Sequence, residues 1–233
     1  MSELPIELAK NHAWPLLERL NRALEAGEID EARWYHDVAA VIVPAYLAGD
    51  TPAAQSGSSS ADEAQWAYRR DLIADAIDRA GAFLDIGCAN GYLLETLTIW
   101  CRQRGHVITP YGLDISPELA ALARRRLPQW AERIFVGNAI DWLPPRRFDF
   151  VRTGLEYVPP LRQRDLIERL LREVVAPGGR LIIGVHSEER DATRSEPSEE
   201  ERIAQWGFTL AGRSERPHPH DARLVYRVCW IDR

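Results

Sequence analysis

A glycine-containing turn between a short apolar run and a helix start is the segment best suited to binding a ligand. Residues 81–92 predict a strand that ends near Asp85, a tight turn containing Gly87 and Gly91, and the first turn of a helix. Glycine lets the backbone approach a ligand closely, and the unpaired amides that open a helix carry partial positive charge. Because glycine is common in turns of every kind, this segment alone does not establish a function.

Two further polar positions are predicted at the ends of the next two strands. Asp114 ends the run Tyr-Gly-Leu-Asp, and Asn138 with Ala139 follows the third strand. An acidic residue beside the first turn can accept hydrogen bonds from both hydroxyls of a ribose. A short polar side chain with a neighbouring backbone amide can bind the edge of an adenine. The three signals together therefore favour a site for an adenosine-containing ligand.

Alternating strands and helices must position these residues. From residue 81 onward the pattern predicts a parallel sheet covered by helices on both faces. We expect strands at 82–86, 107–113, 132–137, 148–153 and 180–186, with helices at 91–104, 117–127 and 161–175. Residues 177–179, Pro-Gly-Gly, predict a turn before the fifth strand. The last two strand-like segments are too close together for an intervening helix, so they should pair as an antiparallel hairpin.

The N-terminal third of the chain predicts helices. Residues 14–26 have apolar side chains at helical spacing and end at Gly27, and a second helix begins near Asp30, with Pro44 expected to kink or end it. Residues 49–59 are rich in Gly, Ser and Pro and predict a flexible loop. Ser60 and Glu63 have the spacing of a capping box at the start of a third helix. We therefore expect a helical extension or cap over 1–80 and a ligand-binding domain over 81–233.

Composition narrows the possible functions. Lys10 is the only lysine among 29 lysines and arginines, which excludes P-loop enzymes, kinases and pyridoxal enzymes because each needs a lysine in its site. A formal net charge of −6 argues against nucleic acid as a partner.

Several features favour a soluble protein of a reducing compartment. We expect no signal peptide and no membrane span, because the N-terminus lacks a long apolar run. The three cysteines form no CxxC pair, which indicates reduced thiols and a cytoplasmic location rather than disulfides or zinc. His218, His220 and Asp221 fall in the predicted hairpin loop, where a solvated turn is a better interpretation than a metal site.

Over about residues 81–231 the sequence resembles the class I S-adenosylmethionine-dependent methyltransferases. The resemblance is carried by the turn from Asp85 to Gly91, by Asp114, by Asn138 with Ala139, by the Pro-Gly-Gly run before strand five and by the closing hairpin. It implies a Rossmann-like, seven-stranded, mostly parallel sheet with an antiparallel C-terminal hairpin. Two positions depart from the family pattern: Ala89 replaces the usual middle glycine, and Asn138 stands where aspartate is frequent.

The resemblance also implies the residues that bind S-adenosylmethionine. Gly87 and the neighbouring backbone approach the homocysteine part, Asp114 the ribose, and Asn138 with Ala139 the adenine, on which Ile115 packs. Asp85 reaches the ammonium through water or orients the loop by bonding its amides. The full set of expected cofactor-binding residues is Asp85, Gly87, Cys88, Ala89, Gly91, Asp114, Ile115, Asn138, Ala139 and Thr153. Arg69 or Arg70 is a candidate partner for the cofactor carboxylate.

The methyl acceptor is less defined than the cofactor. Glu156 and His186 follow strands four and five and are candidate general bases, although both also suit packing or positioning roles. The negative charge favours a small molecule, methylated on oxygen or nitrogen, and no Asn/Asp-Pro-Pro-Tyr/Phe run of the amino-methylating DNA enzymes follows strand four. Two alternatives stay open: a nicotinamide-dependent oxidoreductase, and a non-catalytic cofactor-binding protein on the same fold.

Overall fold

A single seven-stranded sheet organises the computed structural model, which describes residues 13–57, 62–189 and 197–233. The strands are β1 Gly81–Ile86, β2 Ile108–Asp114, β3 Ile134–Val136, β4 Phe148–Thr153, β5 Val175–Glu189, β6 Gly212–Pro217 and β7 Leu224–Asp232. Their order in the sheet is β3-β2-β1-β4-β5-β7-β6. Strands β1 to β5 are parallel, and β7 is antiparallel to both β5 and β6. The mostly parallel sheet and the closing hairpin are therefore confirmed.

Helices cover both faces of this sheet. They are α1 Ala13–Glu25, α2 Glu31–Leu47, α3 Glu63–Arg70, α4 Tyr92–Gln103, α5 Pro117–Arg126, α6 Gln163–Arg169 and α7 Glu199–Gln205. Side chains of α3, α4 and α5 share one buried cluster with Phe83, and side chains of α6 and α7 share the other with Leu84. Successive β1 residues thus face opposite layers, as the two-residue repeat of a strand requires. None of the helices in the described ranges is both long and apolar enough to cross a bilayer.

The Pro-Gly-Gly run lies inside a strand rather than in a turn before it. Helix α6 passes into a wider helical turn over Leu170–Val174, and β5 begins at once at Val175. The pairing with β4 then jumps from Phe148 opposite Val175 to Phe150 opposite Arg180. Gly178 has a φ of 70°, and its amide donates to the carbonyl of Arg233 at 3.2 Å. The run therefore bulges out of the sheet, and its contact with the last residue of the chain makes it part of the strand.

The N-terminal helices agree with the sequence pattern in number and differ in detail. Helix α2 continues through Pro44 to Leu47, so the proline does not end it. The side chain of Asp62 caps α3 by accepting from the amide of Ala64 at 2.8 Å, whereas Ser60, the expected cap, lies outside the described residues. Residues 49–57 contain a short helical turn with Ala53 and Ala54 buried, so this part of the expected loop is packed.

Trp66 joins the N-terminal segment to the sheet domain. Only 1% of its surface is exposed, and its ring centroid lies 4.5 Å from that of Tyr92 and 5.8 Å from that of Trp100, both on α4. Aromatic side chains bury large apolar areas, so this contact contributes strongly to the attachment of α3.

We expect Trp66→Ala to lower the free energy of unfolding by about 3–5 kcal/mol, because it leaves a large cavity between α3 and α4. Urea denaturation followed by circular dichroism measures the change. Leu143→Ala is the control, since Leu143 is 82% exposed and its truncation should change stability by less than about 0.5 kcal/mol. Equal effects of the two substitutions would contradict this assignment.

Candidate functional site

The turn after β1 is held against the end of β2 by backbone and carboxylate hydrogen bonds. The amides of Gly87 and Cys88 donate to the carbonyl of Leu113 at 2.8 and 3.1 Å. The amide of Ala89 donates to Oδ2 of Asp114 at 2.8 Å, and the amide of Ser116 donates to Oδ1 at 2.9 Å. The two strongest signals of the sequence therefore meet at one point.

The turn uses left-handed backbone at three places. The φ angles of Gly87, Ala89 and Gly91 are 74°, 47° and 76°. A Cβ on Gly87 would lie 2.6 Å from Cε2 of Tyr157, and one on Gly91 would lie 2.6 Å from Cδ1 of Leu127. Glycine is thus required at these two positions by packing as well as by conformation. Ala89 adopts the left-handed region despite its side chain, which explains why glycine suits this position.

Asp114 is buried, with 5% of its surface exposed. Burial raises the pKa of its carboxyl to about 6, the amides of Ser116 and Ala89 oppose that rise, and the charge of Asp85 adds to it. A carboxylate has about four acceptor positions, and the two amides occupy only one on each oxygen. Asp114 can therefore still accept hydrogen bonds from two ligand hydroxyls.

Asp85 forms a buried ion pair that the sequence did not indicate. Its Oδ1 lies 3.2 Å from Nη1 of Arg152 on β4, and both side chains are 2% exposed. Nη1 of Arg152 also donates to the hydroxyl of Tyr157 at 2.8 Å, and its Nε donates to the carbonyl of Gly184 at 2.7 Å. Burial raises the pKa of Asp85, and Arg152 opposes the rise. Asp85 does not bond the amides of the turn in the described structure, because Leu113 and Asp114 accept from them instead.

Arg152 and Tyr157 were missed by the sequence reasoning. One signal was available: an arginine within the apolar strand Phe-Asp-Phe-Val-Arg-Thr is unusual, because a charged side chain in a buried strand needs a partner. Which carboxylate would pair with it could not be read from the chain, since Asp85 lies 67 positions earlier.

The other expected cofactor-binding residues lie around the same edge of the sheet. Asn138 accepts from the amide of Ile140 through Oδ1 at 3.1 Å, which shapes the turn after β3, and Ala139 is 7% exposed. Ile115 remains 45% exposed, although it is large and apolar. Thr153 is fully buried, and its hydroxyl donates to the carbonyl of Gly154 at 3.3 Å. Their roles in binding stay predictions.

Cys88 lies behind the turn rather than at its surface. It is 3% exposed, and a Cβ on Gly112 of β2 would lie 2.7 Å from its Sγ. Burial raises the pKa of its thiol well above the ordinary value. We assign Cys88 a packing role, through which it supports the turn.

The N-terminal segment lies over the turn. Nδ2 of Asn90, a fully buried residue, donates to the carbonyl of Pro52 at 2.9 Å. Nη2 of Arg69 and Nη2 of Arg70 each lie 3.5 Å from a carbonyl of the same loop, that of Gly57 and that of Ser56. Helix α3 and residues 49–57 thus pack over the carboxyl edge of the sheet. We name the boundary between them, where the charges of Arg69, Arg70, Arg152 and Glu156 act on one another, the cleft.

The two candidate bases have different surroundings. Glu156 is exposed at the cleft, where its charge acts on Tyr46, Arg69 and Arg152. His186 is partly buried beside Glu188, with Nε2 3.4 Å from Oε1. Burial lowers the pKa of His186 to about 4, and the charges of Arg227 and Arg202 add to this shift. At neutral pH its imidazole is therefore uncharged, and it is a weak base.

The histidine-rich hairpin loop forms a hydrogen-bonded turn. Nδ1 of His218 accepts from the amide of Asp221 at 3.1 Å, and the His218 ring packs on Tyr226 at 4.9 Å between centroids. Nε2 of His220 lies 2.8 Å from Nε2 of Gln65 on α3. These side chains connect the hairpin to helix α3.

The fold and the site define a class. Insertion of β7 between β5 and β6 distinguishes this sheet from the 3-2-1-4-5-6 order of nicotinamide-binding folds. With the glycine turn of β1 bonded to an acidic residue at the end of β2, the fold is that of the class I S-adenosylmethionine-dependent methyltransferases.

Comparison with known proteins agrees with this class. The sequence matches the model of a methyltransferase domain over residues 60–224, more than half of the chain. The chain therefore belongs to this methyltransferase family. None of the curated proteins gives a significant match.

Two solved structures show the same fold. Burkholderia thailandensis 1,6-didemethyltoxoflavin-N1-methyltransferase, with bound 1,6-didemethyltoxoflavin and S-adenosylhomocysteine, has a TM-score of 0.59 and 22% identity, covering 88% of this chain and 91% of that one. The cyclase SpnF has a TM-score of 0.53 and 17% identity, covering 72% of this chain and 80% of that one.

The left-handed turn leads to a paired prediction. We expect Ala89→Gly to leave the free energy of unfolding unchanged or raise it by up to about 1 kcal/mol, because it relieves left-handed strain. Gly87→Ala should lower it by more than about 1 kcal/mol, because it adds the same strain and displaces the Tyr157 ring. Urea denaturation of both variants tests this, and a loss of stability in Ala89→Gly as large as that in Gly87→Ala would refute it.

Proposed function

We propose that this chain transfers a methyl group from S-adenosylmethionine to an oxygen or nitrogen atom of a small-molecule acceptor. The observation that carries the proposal is the bond from the amide of Ala89 to Asp114. It places the glycine turn and the free acceptor positions of a buried carboxylate side by side. This arrangement suits a ligand that combines an amino-acid part with a ribose.

The residues around the cleft fit this cofactor. Asp114 would accept from the ribose hydroxyls, and the exposed Ile115 beside it offers an apolar surface for the purine. Asn138 and Ala139 would bind the adenine edge. Nε of Arg70 is buried without a hydrogen-bond partner in the described structure. A buried donor of this kind needs an acceptor, and the cofactor carboxylate would supply one.

The chain's contribution to the reaction is mainly alignment and exclusion of water. The bound cofactor supplies a methyl group attached to a sulfonium sulfur. When an acceptor lone pair attacks the methyl carbon in line, the carbon–sulfur bond breaks and the sulfur leaves as a neutral thioether. The turn from Gly87 to Gly91 holds the sulfur end at the sheet edge. Tyr46, Tyr157 and helix α3 enclose the cleft, which strengthens electrostatic contacts inside it.

Glu156 is the better placed of the two candidate bases. It lies at the cleft among Tyr46 and Arg69, and a carboxylate there could take the proton that an acceptor hydroxyl or amine releases. His186 is surrounded by Arg227, Arg202 and Glu188, and its lowered pKa makes proton abstraction weak. We therefore favour Glu156 for proton transfer and a positioning role for His186.

Residues 1–80 act, in this proposal, as a cap on the methyltransferase domain at 81–233. Support comes from the bond between Asn90 and Pro52 and from Tyr35, which packs against the buried cluster that contains Ala139. Small-molecule methylation is supported by the Burkholderia structure, whose bound acceptor is a small molecule. SpnF, a cyclase on the same fold, is the reason why methyl transfer itself has to be measured.

Cofactor binding and methyl transfer are tested separately. We expect S-adenosylhomocysteine to bind the purified chain in isothermal titration calorimetry, whereas NADH should not bind. Labelled S-adenosylmethionine incubated with a panel of small hydroxyl and amine compounds should give a methylated product. Failure of the folded protein to bind S-adenosylhomocysteine would refute the proposal. Binding without transfer to any acceptor would favour a non-catalytic cofactor-binding protein.

In the same assay, Asp114→Asn should weaken S-adenosylhomocysteine binding by about 10- to 100-fold, because it removes the charged acceptor at the ribose site and the acceptor of one of the two backbone amides, of Ala89 or Ser116. Asp149→Asn is the matched control. Asp149 accepts from the amide of Ala82 at 2.8 Å near the amino ends of β1 and β4, away from the carboxyl ends where the cofactor is expected. Its substitution should therefore leave the affinity within about threefold.

Cofactor affinity should depend on pH through Asp114. Ribose hydroxyls donate to the ionised carboxylate, so binding lowers a pKa that is about 6 in the free protein. Affinity should therefore be constant above about pH 7 and fall by up to about tenfold for each unit below pH 6. His186, with a pKa of about 4, does not titrate in this range. Titrations at several pH values measure the slope, and a slope that persists in Asp114→Asn would assign it to another group.

A further inference from the structure

Two adjacent arginines at the end of α3 enter the cleft without a carboxylate partner. No Asp or Glu oxygen of the described residues lies within the 4.0 Å of an ion pair from Arg69 or Arg70. Their only hydrogen bonds there are the long ones, at 3.5 Å, to the carbonyls of Gly57 and Ser56. Two guanidinium groups, with five donors each, are thus left with few acceptors.

Electrostatics at this point favour the entry of an anion. Burial lowers the pKa of Arg69, and it lowers that of Arg70 to about 10, with repulsion from Arg69 and Arg152 adding to the second shift. Arg152 is already paired with Asp85. Partly buried like charges without partners are costly, so ligand groups that neutralise them bind well.

The two arginines have different neighbours, which separates their roles. The charges of Arg152 and Tyr46 influence both arginines, but Arg70 also acts on Asp85 and Tyr157, which places it toward the glycine turn. The guanidinium carbon of Arg69 instead lies 5.7 Å from the ring centroid of Tyr226 on β7, and Glu156 is among the charges that act on it. Arg69 therefore lies on the side of Glu156, the candidate base, beside which an acceptor would have to react.

We propose that Arg69 binds an anionic group of the methyl acceptor, a carboxylate or a phosphate, whereas Arg70 binds the carboxylate of the cofactor. This inference rests on the proposed function. S-adenosylmethionine brings an ammonium, a sulfonium and one carboxylate, so it adds net positive charge to a cleft in which three arginines are balanced by Asp85, Asp114 and Glu156. If Arg70 takes that carboxylate, Arg69 still needs an anion. The acceptor is the remaining source.

The first experiment separates the two arginines. Isothermal titration with S-adenosylhomocysteine should show a loss of affinity of about tenfold or more in Arg70→Gln and a change within about threefold in Arg69→Gln. Near-normal binding by Arg69→Gln also shows that this variant is folded. Equal losses in both variants would mean that both side chains serve the cofactor, and would overturn the assignment of Arg69.

The second experiment tests the acceptor side directly. Benzoate and phenyl phosphate, with benzamide as the neutral control, are titrated into protein saturated with S-adenosylmethionine. At least one anion should bind at least about tenfold more tightly than benzamide, and that preference should disappear in Arg69→Gln and be partly retained in Arg69→Lys. The anion that binds distinguishes a carboxylate acceptor from a phosphorylated one.

A third measurement uses turnover. Labelled-methyl transfer is screened across pairs of compounds that differ only in carrying a free acid or its neutral amide. Acceptors should be found among the acids, with a KM raised about tenfold or more in Arg69→Gln and kcat changed less. The inference is wrong if none of the anions binds, if amides serve as well as acids, or if Arg69→Gln leaves KM unchanged. Absence of S-adenosylhomocysteine binding by the wild-type protein would instead refute the proposed function.

Discussion

The carboxylate of Asp114 joins the glycine turn after β1 to the end of β2, and the site depends on both. It ends β2, the strand next to β1, and it accepts the amide of Ala89 on one oxygen and that of Ser116 on the other. The turn can adopt its left-handed backbone because this carboxylate, with the carbonyl of Leu113, satisfies the amides exposed there. Burial destabilises the ionised form of this carboxyl and so raises its pKa. An adenosyl ligand would stabilise the ionised form by donating two more hydrogen bonds.

A second feature is the presence of two arginines at the cleft that have no carboxylate partner among the described residues. Arg152 is paired with Asp85, and this buried pair also joins β1 to β4 across their shared register. A buried ion pair adds little to the free energy of unfolding, but removing one member lowers that free energy strongly, because it leaves an unpaired buried charge. Arg69 and Arg70 are in the opposite situation, since their partners are expected to arrive with ligands. The same residue type thus stabilises the fold at position 152 and, in our proposal, binds ligands at 69 and 70.

The N-terminal segment contributes to the site as much as to the fold. The matched family region begins at residue 60, so α3 and its arginines lie within it, whereas Tyr35, Tyr46 and the loop at 49–57 lie before it. Within that loop, Pro52 accepts from Asn90 of the turn, and the carbonyl of Ser56 lies 3.5 Å from Nη2 of Arg70. Residues before the matched family region therefore contact both the glycine turn and Arg70.

The sequence by itself determined the order of elements, the mostly parallel sheet with its closing hairpin, and the positions of the glycine turn, Asp114 and Asn138. These follow from local rules, because hydrophobic periodicity, glycine spacing and strand ends are encoded within a few residues of each other. The bulge at 177–179 was not predictable, since the distant carbonyl of Arg233 accepts from the amide of Gly178, and the sequence left open whether Pro44 would kink or end α2.

Only the tertiary structure showed that Asp85 pairs with Arg152, that Tyr157 covers Gly87, and that Arg69 and Arg70 come close enough to Arg152 to be influenced by its charge. The partners in these contacts are tens of residues apart, and no periodicity links them. Their charges and burial depend on where strands and helices meet. The chain therefore specified a cofactor turn by local pattern, and the packed structure decided which charges surround it.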